Sequence, residues 1–318
     1  MASLLIGNGI NYLSKNVVGW TDLLNSLIQK IGKLDVINTE EKPFLHLYEE
    51  IFTRAEKYTN KKEEDIKQDI VNEIRTMRPN SYHQKITDLP FENILTLNYD
   101  YNFTDNRSNV KNKEVKYSLR RHQRINNKKI WHIHGELDNK HSIMLGYSHY
   151  MDSINNIQSY LNSSKKNEKN NSTWVDVFLT NDIYILGAGL DFEELDIWWL
   201  LSYRNRELLE RKNDINNPAY NTKIIYIDIV SEEYDDNKML QELSSCNEQL
   251  SKIKELAKVE IKKKKNEAKL SMLKTFGVDV KTFTLDSTEN KYRNAYDDVI
   301  DYFINELSTN KMGNNYVK

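Results

Sequence analysis

Apolar residues cluster in short continuous runs separated by long stretches of helical spacing. LLIG (4–7), NILTL (93–97), DIYILG (182–187) and KIIYIDIV (223–230) are apolar without alternation. That pattern marks strands buried on both faces of a parallel sheet. WHIHG (131–135) and VKTFTL (280–285) are a fifth and a sixth strand candidate. Between them, residues 20–37 carry Trp20, Leu23, Leu24, Leu27, Ile28 and Ile31 on one helical stripe. Residues 44–78 continue it with Phe44, Leu47, Tyr48, Ile51 and Phe52, then Ile66, Ile70 and Ile74. Strands alternating with helices predict an α/β fold, a Rossmann-like, doubly wound parallel sheet. The helical block at about 31–88 exceeds one crossover and is read as an insertion into a single domain spanning 1–318.

Three segments fall outside this alternation. Residues 102–129 are polar and basic and read as a loop with an interrupted hairpin, and 162–172 read as a mobile loop. Residues 236–276 form a long helical pattern ending in a lysine-rich stretch, with Lys262–Lys265 consecutive. A solvated helix face accounts for those lysines more simply than an electrostatic contact with a partner or nucleic acid.

Composition narrows the function classes. The 318 residues have a formal net charge of −2, so nothing draws the whole protein to nucleic acid. Cys246 is the only cysteine, which excludes an internal disulfide and a cysteine-built zinc module. No apolar run reaches membrane-spanning length, and no leader pattern opens the chain; the expectation is a cytoplasmic protein with no membrane partner.

Polar residues with chemical potential gather where the strands should end. They are Gly7, Asn8, Gly9 and Asn11 after the first run, Asn98 and Asp100 after NILTL, and His134 and Gly135 after the WHI stretch. Gly187, Gly189 and Asp191 follow DIYILG, and Asp228 lies late in KIIYIDIV. Open α/β sheets bind ligands at the carboxyl ends of their strands, so these residues are expected to converge on one crevice. Each has a plainer use: Asn98, Asp100 and Asp191 can cap helices or order turns. His132 and His134 share a face if the strand runs through both, and a histidine pair at that spacing could bind metal, but no carboxylate or cysteine partner is obvious, so no metal is expected. His122, His141 and His149 read as loop or surface residues, and Trp198 and Trp199 as core or interface aromatics.

The order of GNGIN (7–11), TLNYD (96–100), HGELD (134–138) and GAGLDFEELD (187–196) resembles the sirtuin-like NAD-binding fold over residues 4–230. More narrowly it resembles the sirtuin-like NAD-hydrolase domains of bacterial antiphage systems. The opening is also similar to the IGNG start of another bacterial abortive-infection family. Protein-deacylating sirtuins carry a four-cysteine zinc module that this chain cannot build, so deacylation is disfavoured.

The resemblance implies an NAD⁺ glycohydrolase that releases nicotinamide and ADP-ribose, with NAD⁺ as substrate and no metal. It makes His134 the base and Asn98 the residue that positions water and ribose. Backbone N–H groups at Gly7, Asn8 and Gly9 would meet the diphosphate, and Asn11 the nicotinamide ribose. Gly187 and Gly189 would lie under the adenosine half, with Asp228 on its ribose. Asp100 and Asp191 are weaker binding candidates. The implied role is an abortive-infection effector that depletes NAD⁺, restrained by oligomer packing, a defence-system partner or a small signal molecule. The alternative is a non-catalytic nucleotide sensor using the same crevice. A bulky run at Trp198, Trp199, Leu200 and Leu201 covers more than half of a helix circumference, which favours a homo-oligomer or a partner complex.

Overall fold

The computed structural model describes residues 1–14, 17–31, 42–104, 118–164, 173–210, 222–231, 250–286 and 288–313. The chain divides into two compact units, Met1–Lys223 and Ile224–Lys318. The fold is α/β, with mostly parallel strands flanked by helices.

In the first unit, β1 (Ala2–Ile6), β2 (Asn93–Thr96), β3 (Gln123–Ile125), β4 (Lys128–His132) and β5 (Asp182–Leu186) lie in the order β3-β4-β2-β1-β5. The four strands from β4 to β5 are parallel. Ile6 pairs with both Thr96 and Leu186, and Thr96 pairs with His132. Leu4, Leu5, Ile6, Ile94, Leu95 and Ile185 are wholly buried, as continuous apolar runs require. β3 joins β4 in an antiparallel hairpin turned by Asn126 and Asn127 at φ 44° and 66°. Asparagine tolerates this left-handed region. This is the expected hairpin within 102–129; residues 105–117 lie outside the described residues.

Among the described residues, four α-helices separate β1 from β2: α1 (Trp20–Ile31), α2 (Phe44–Thr59), α3 (Glu63–Ile74) and α4 (Ser81–Asp88). The periodicity at 44–78 reads as one stretch, but Asn60 breaks it at φ 55°, closing α2 with its N–H on the Glu56 carbonyl. Residues 32–37 of the expected 20–37 helix lie outside the described residues. The inserted helices bury Leu23, Leu27, Ile51 and Ile70 against Tyr99, Tyr101, Leu137 and Leu145, which belong to the loops after β2 and β4. Packing of the insertion thus fixes the loops that carry the candidate chemistry. The unit is completed by α5 (Tyr147–Ser164), α6 (Trp174–Thr180) and α7 (Leu195–Glu210). Most of the 162–172 stretch, residues 165–172, lies outside the described residues.

The second unit pairs β6 (Ile224–Ser231) in parallel with β7 (Asp279–Leu285), with α8 (Leu250–Thr275) before β7 and α9 (Lys291–Gly313) after it. Leu273, Val278, Leu285, Val299 and Phe303 are buried there. The expected 236–276 helix is described from Leu250 onward. Among its lysines, Lys264 pairs with Glu260 at 3.6 Å and Glu267 at 3.4 Å along the exposed helix. No helix among the described residues is long and apolar enough to cross a membrane.

Candidate functional site

The loops leaving β1, β2 and β5 meet through backbone contacts. Gly7 N donates to Leu186 O at 3.0 Å, Gly9 N to Gly187 O at 2.8 Å, and Leu97 N to Ile6 O at 2.9 Å. The Gly7 and Gly9 amides already serve the β5 loop, so neither is free for a diphosphate. Gly7 is glycine because the β5 loop passes against it.

A polar cluster fills the mouth of these loops. Asn98, 5% exposed, donates its amide to Gly7 O at 3.2 Å. Asn11 donates to Asn8 Oδ1 at 2.8 Å and to Asp100 Oδ2 at 2.9 Å, while its own oxygen accepts from Asn102 Nδ2 at 3.0 Å. Asp100 Oδ1 accepts the Asn102 backbone N–H at 2.9 Å. Asn11 and Asp100, expected as ligand contacts, here hold loop to loop. Beside them, Asn8, Trp20, Met77, Asn98, Tyr99 and Asp100 line a small cleft with an aromatic and apolar wall.

The two histidines part company. β4 ends at His132, and the chain turns at Gly135 with φ 103°. His132 and His134 therefore do not continue one strand face. His132 Nδ1 lies 3.1 Å from Asn98 O, and since a carbonyl only accepts, that nitrogen carries hydrogen. Burial, the largest influence, pushes the His132 pKa down, so the ring is neutral. Its Nε2 is buried and meets no partner among the described residues. His132 is thus a brace for the loop that carries Asn98.

His134, 3% exposed, points to the start of α7 instead. Its Nε2 lies 3.1 Å from Asp196 Oδ1 and its Nδ1 3.6 Å from Glu194 Oε2. The missing carboxylate partners come from a segment 60 residues on, which sequence proximity could not reveal. Burial pulls the His134 pKa down, but Asp196 and then Glu194 outweigh it and hold it up at about 9. At neutral pH the ring is an imidazolium, whereas the base expected from the resemblance is a neutral imidazole. Burial is also the main cause that raises the Glu194 carboxyl, which accepts from Tyr150 Oη at 3.1 Å. The ligand-type atoms of His134, Glu194 and Asp196 lie within 4.8 Å of one another, compact enough for a cation. We read the group as proton-sharing, because Asp196 already takes three protein donors: His134, Ile197 N and Ser153 Oγ.

Other expected residues fall elsewhere. Asp191 and Gly189 are exposed, and Asp191 O accepts Glu194 N at 2.9 Å and Trp198 Nε1 at 3.0 Å, the work of a turn. Gly187 adopts φ 63° and gives its carbonyl to Gly9. Asp228 belongs to the second unit, where burial raises its pKa and Asn266 donates to it at 3.3 Å. His149 is not a surface residue; its Nδ1 accepts from Leu145 N and Gly146 N at the start of α5. His141 is exposed, and His122 packs 4.5 Å from the Trp131 ring. Glu194 and Asp196 are not among the expected site residues, although both stand in the GAGLDFEELD stretch at the start of α7.

Residues 92–215 match the model of the SIR2-like domain family. The match runs from β2 past α7 and takes in Asn98, His134 and Asp196, but leaves out the opening glycine turn. It supports a sirtuin-like family, whose domains bind NAD⁺, and an NAD-related activity. No curated protein matches this sequence.

Proposed function

We propose that this chain hydrolyses NAD⁺ to ADP-ribose and nicotinamide. The observation that carries the reading is the register of β2 against β4. Thr96 pairs with His132, so Asn98 and His134 stand two residues beyond the same level on adjacent strand ends, inside the matched segment. Open parallel sheets bind ligands there.

The bond to be broken joins ribose to a cationic pyridinium, a good leaving group. The chain has to hold the ribose, stabilise an oxocarbenium-like centre and admit water. Water supplies the new hydroxyl of ADP-ribose, nicotinamide leaves neutral with the bonding pair, and one proton is released. In this reading Asn98 orients water and ribose through an amide held by Gly7 O, on a backbone carbonyl braced by His132. His134 takes the proton once its imidazolium has given one up. The cleft beside Trp20 and Met77 offers a flat apolar wall with Asn8, Asn98 and Asp100 at its edge.

Nicotinamide release from NAD⁺, followed by chromatography, tests this directly. One observation favours a second reading, a nucleotide-binding module without turnover: both His134 nitrogens face carboxylates. NAD⁺ or ADP-ribose binding with no nicotinamide release under every condition would select it.

The biological role proposed with this activity is abortive infection by NAD⁺ depletion, held in check by self-association, a defence partner or a small signal. The chain itself buries Trp198, Leu200 and Leu201, so the patch behind the oligomer expectation shrinks to Trp199, stacked on Tyr203 at 5.4 Å. A fall in cellular NAD⁺ on expression, absent in an Asn98→Ala variant, would support the effector role.

A further inference from the structure

We propose that Asp196 is a positioning residue that grips His134 by Nε2, leaving Nδ1 as the nitrogen that meets the ribose of NAD⁺. The inference rests on the hydrolase reading and names the residue that would make His134 serve it.

The two carboxylates beside His134 differ in kind. Asp196 is 0% exposed at the start of α7, and three donors fix it. Its Oδ1 accepts from Ile197 N at 2.9 Å and faces His134 Nε2 at 3.1 Å; its Oδ2 accepts from Ser153 Oγ at 3.3 Å. Such a carboxylate cannot turn away without stranding buried donors. Glu194 keeps 23% of its side chain exposed and stands 3.6 Å from Nδ1, beyond ordinary hydrogen-bond length. The ring is therefore held on the Asp196 side and only loosely faced on the Glu194 side. A ribose hydroxyl can reach Nδ1 only by taking Glu194's place.

The remaining groups around the ring do not compete for it. Tyr150 of α5 stands edge-on at 5.6 Å and gives its hydroxyl to Glu194. Tyr99, after β2, donates its hydroxyl to Met144 O, and Asp191 acts only through Glu194. Asp196 thus fixes the tautomer with hydrogen on Nε2 and stabilises the imidazolium formed when Nδ1 takes a hydroxyl proton. An aspartate paired with a catalytic histidine does the same in other hydrolases. The raised pKa of His134 agrees with this geometry.

The test uses the full chain labelled with ¹⁵N-histidine. Above its titration, neutral His134 should show a protonated Nε2 and a bare Nδ1; hydrogen on Nδ1 would overturn the proposal. Asp196→Asn should lower the His134 midpoint by more than about one pH unit, a tenfold change in proton affinity. The rising alkaline limb of kcat should move down by the same amount, with kcat cut more than about tenfold and KM nearly kept. An unmoved midpoint in a folded Asp196→Asn chain would refute the role. If that variant does not fold, the wild-type tautomer decides alone. Nicotinamide release by the wild type reports separately: its absence sinks the hydrolase reading, while the proton position still decides whether Asp196 grips Nε2.

Discussion

A Cβ on Gly7 would stand 2.6 Å from the Cα of Ala188 and 2.7 Å from the carbonyl oxygen of Gly187. Both are backbone atoms, held by the Gly7 and Gly9 hydrogen bonds to the β5 loop. They cannot swing aside as a side chain would. Gly7→Ala should therefore destabilise the protein by about 2–3 kcal/mol, as over-packing does. Gly189→Ala, which meets only Asp191 Oδ2 at 3.7 Å, should change stability by less than about 0.5 kcal/mol. Urea unfolding of the two variants measures the contrast, and equal midpoints would refute it.

That contrast shows what the sequence could and could not convey. The Gly-x-Gly at 7–9 and the one at 187–189 are both visible as turns after apolar runs, and β1, β2, β5, β6 and β7 lie on their runs, whereas β4 (Lys128–His132) starts before the expected 131–135 and shares only Trp131 and His132 with it. Continuous burial leaves its mark on each residue of a strand, so β1, β2, β5 and β6 are legible one by one. The contact of one turn with the other is a property of strand order, which adjacent residues do not encode. The same limit hid Asp196 from His134, 62 positions apart. It also hid the separate uses of His132 and His134, since a turn at Gly135 decides which way each ring faces.

Asn98→Ala removes the amide from Gly7 O but leaves the Asn98 carbonyl that His132 grips. One buried hydrogen bond is lost, at a cost of about 1 kcal/mol. If Asn98 positions water and ribose, nicotinamide release should fall by about a hundredfold or more while the fold survives. Thermal unfolding and turnover measured on the same preparation separate the two effects. Full activity in the variant would remove Asn98 from the mechanism.

Glu136, 4% exposed, accepts from both Arg121 Nε and Arg121 Nη2, and from Tyr101 Oη at 2.9 Å. Burial would raise its pKa, but the Arg121 guanidinium and its neighbours outweigh that and hold the carboxyl below its usual value. The stabilisation is present above pH 4.5, the ordinary value, and is lost as pH falls below it. Arg121→Ala strands the buried carboxylate and should cost about 2 kcal/mol at pH 7. The loss should shrink on acidification, because a protonated Glu136 needs its partner less. Denaturant midpoints at pH 7 and pH 4 test this; a penalty independent of pH would argue for lost packing alone.

The His134 pair makes an opposite prediction at alkaline pH. The folded pKa of about 9 stands above the ordinary 6.5, so the folded state holds its proton more tightly than the unfolded chain. The resulting stability is complete below about pH 6.5 and is lost as pH rises through about 9, on the order of 3 kcal/mol in all. His134→Gln cannot titrate, so its stability should be flat over that window wherever the wild type declines. Asp196→Asn, lacking the charge that holds the proton, should lose most of the slope as well. Chemical unfolding from pH 6 to pH 10 gives the three curves. Parallel declines in wild type and His134→Gln would show that another group carries the alkaline loss, and that His134 is not held as an imidazolium.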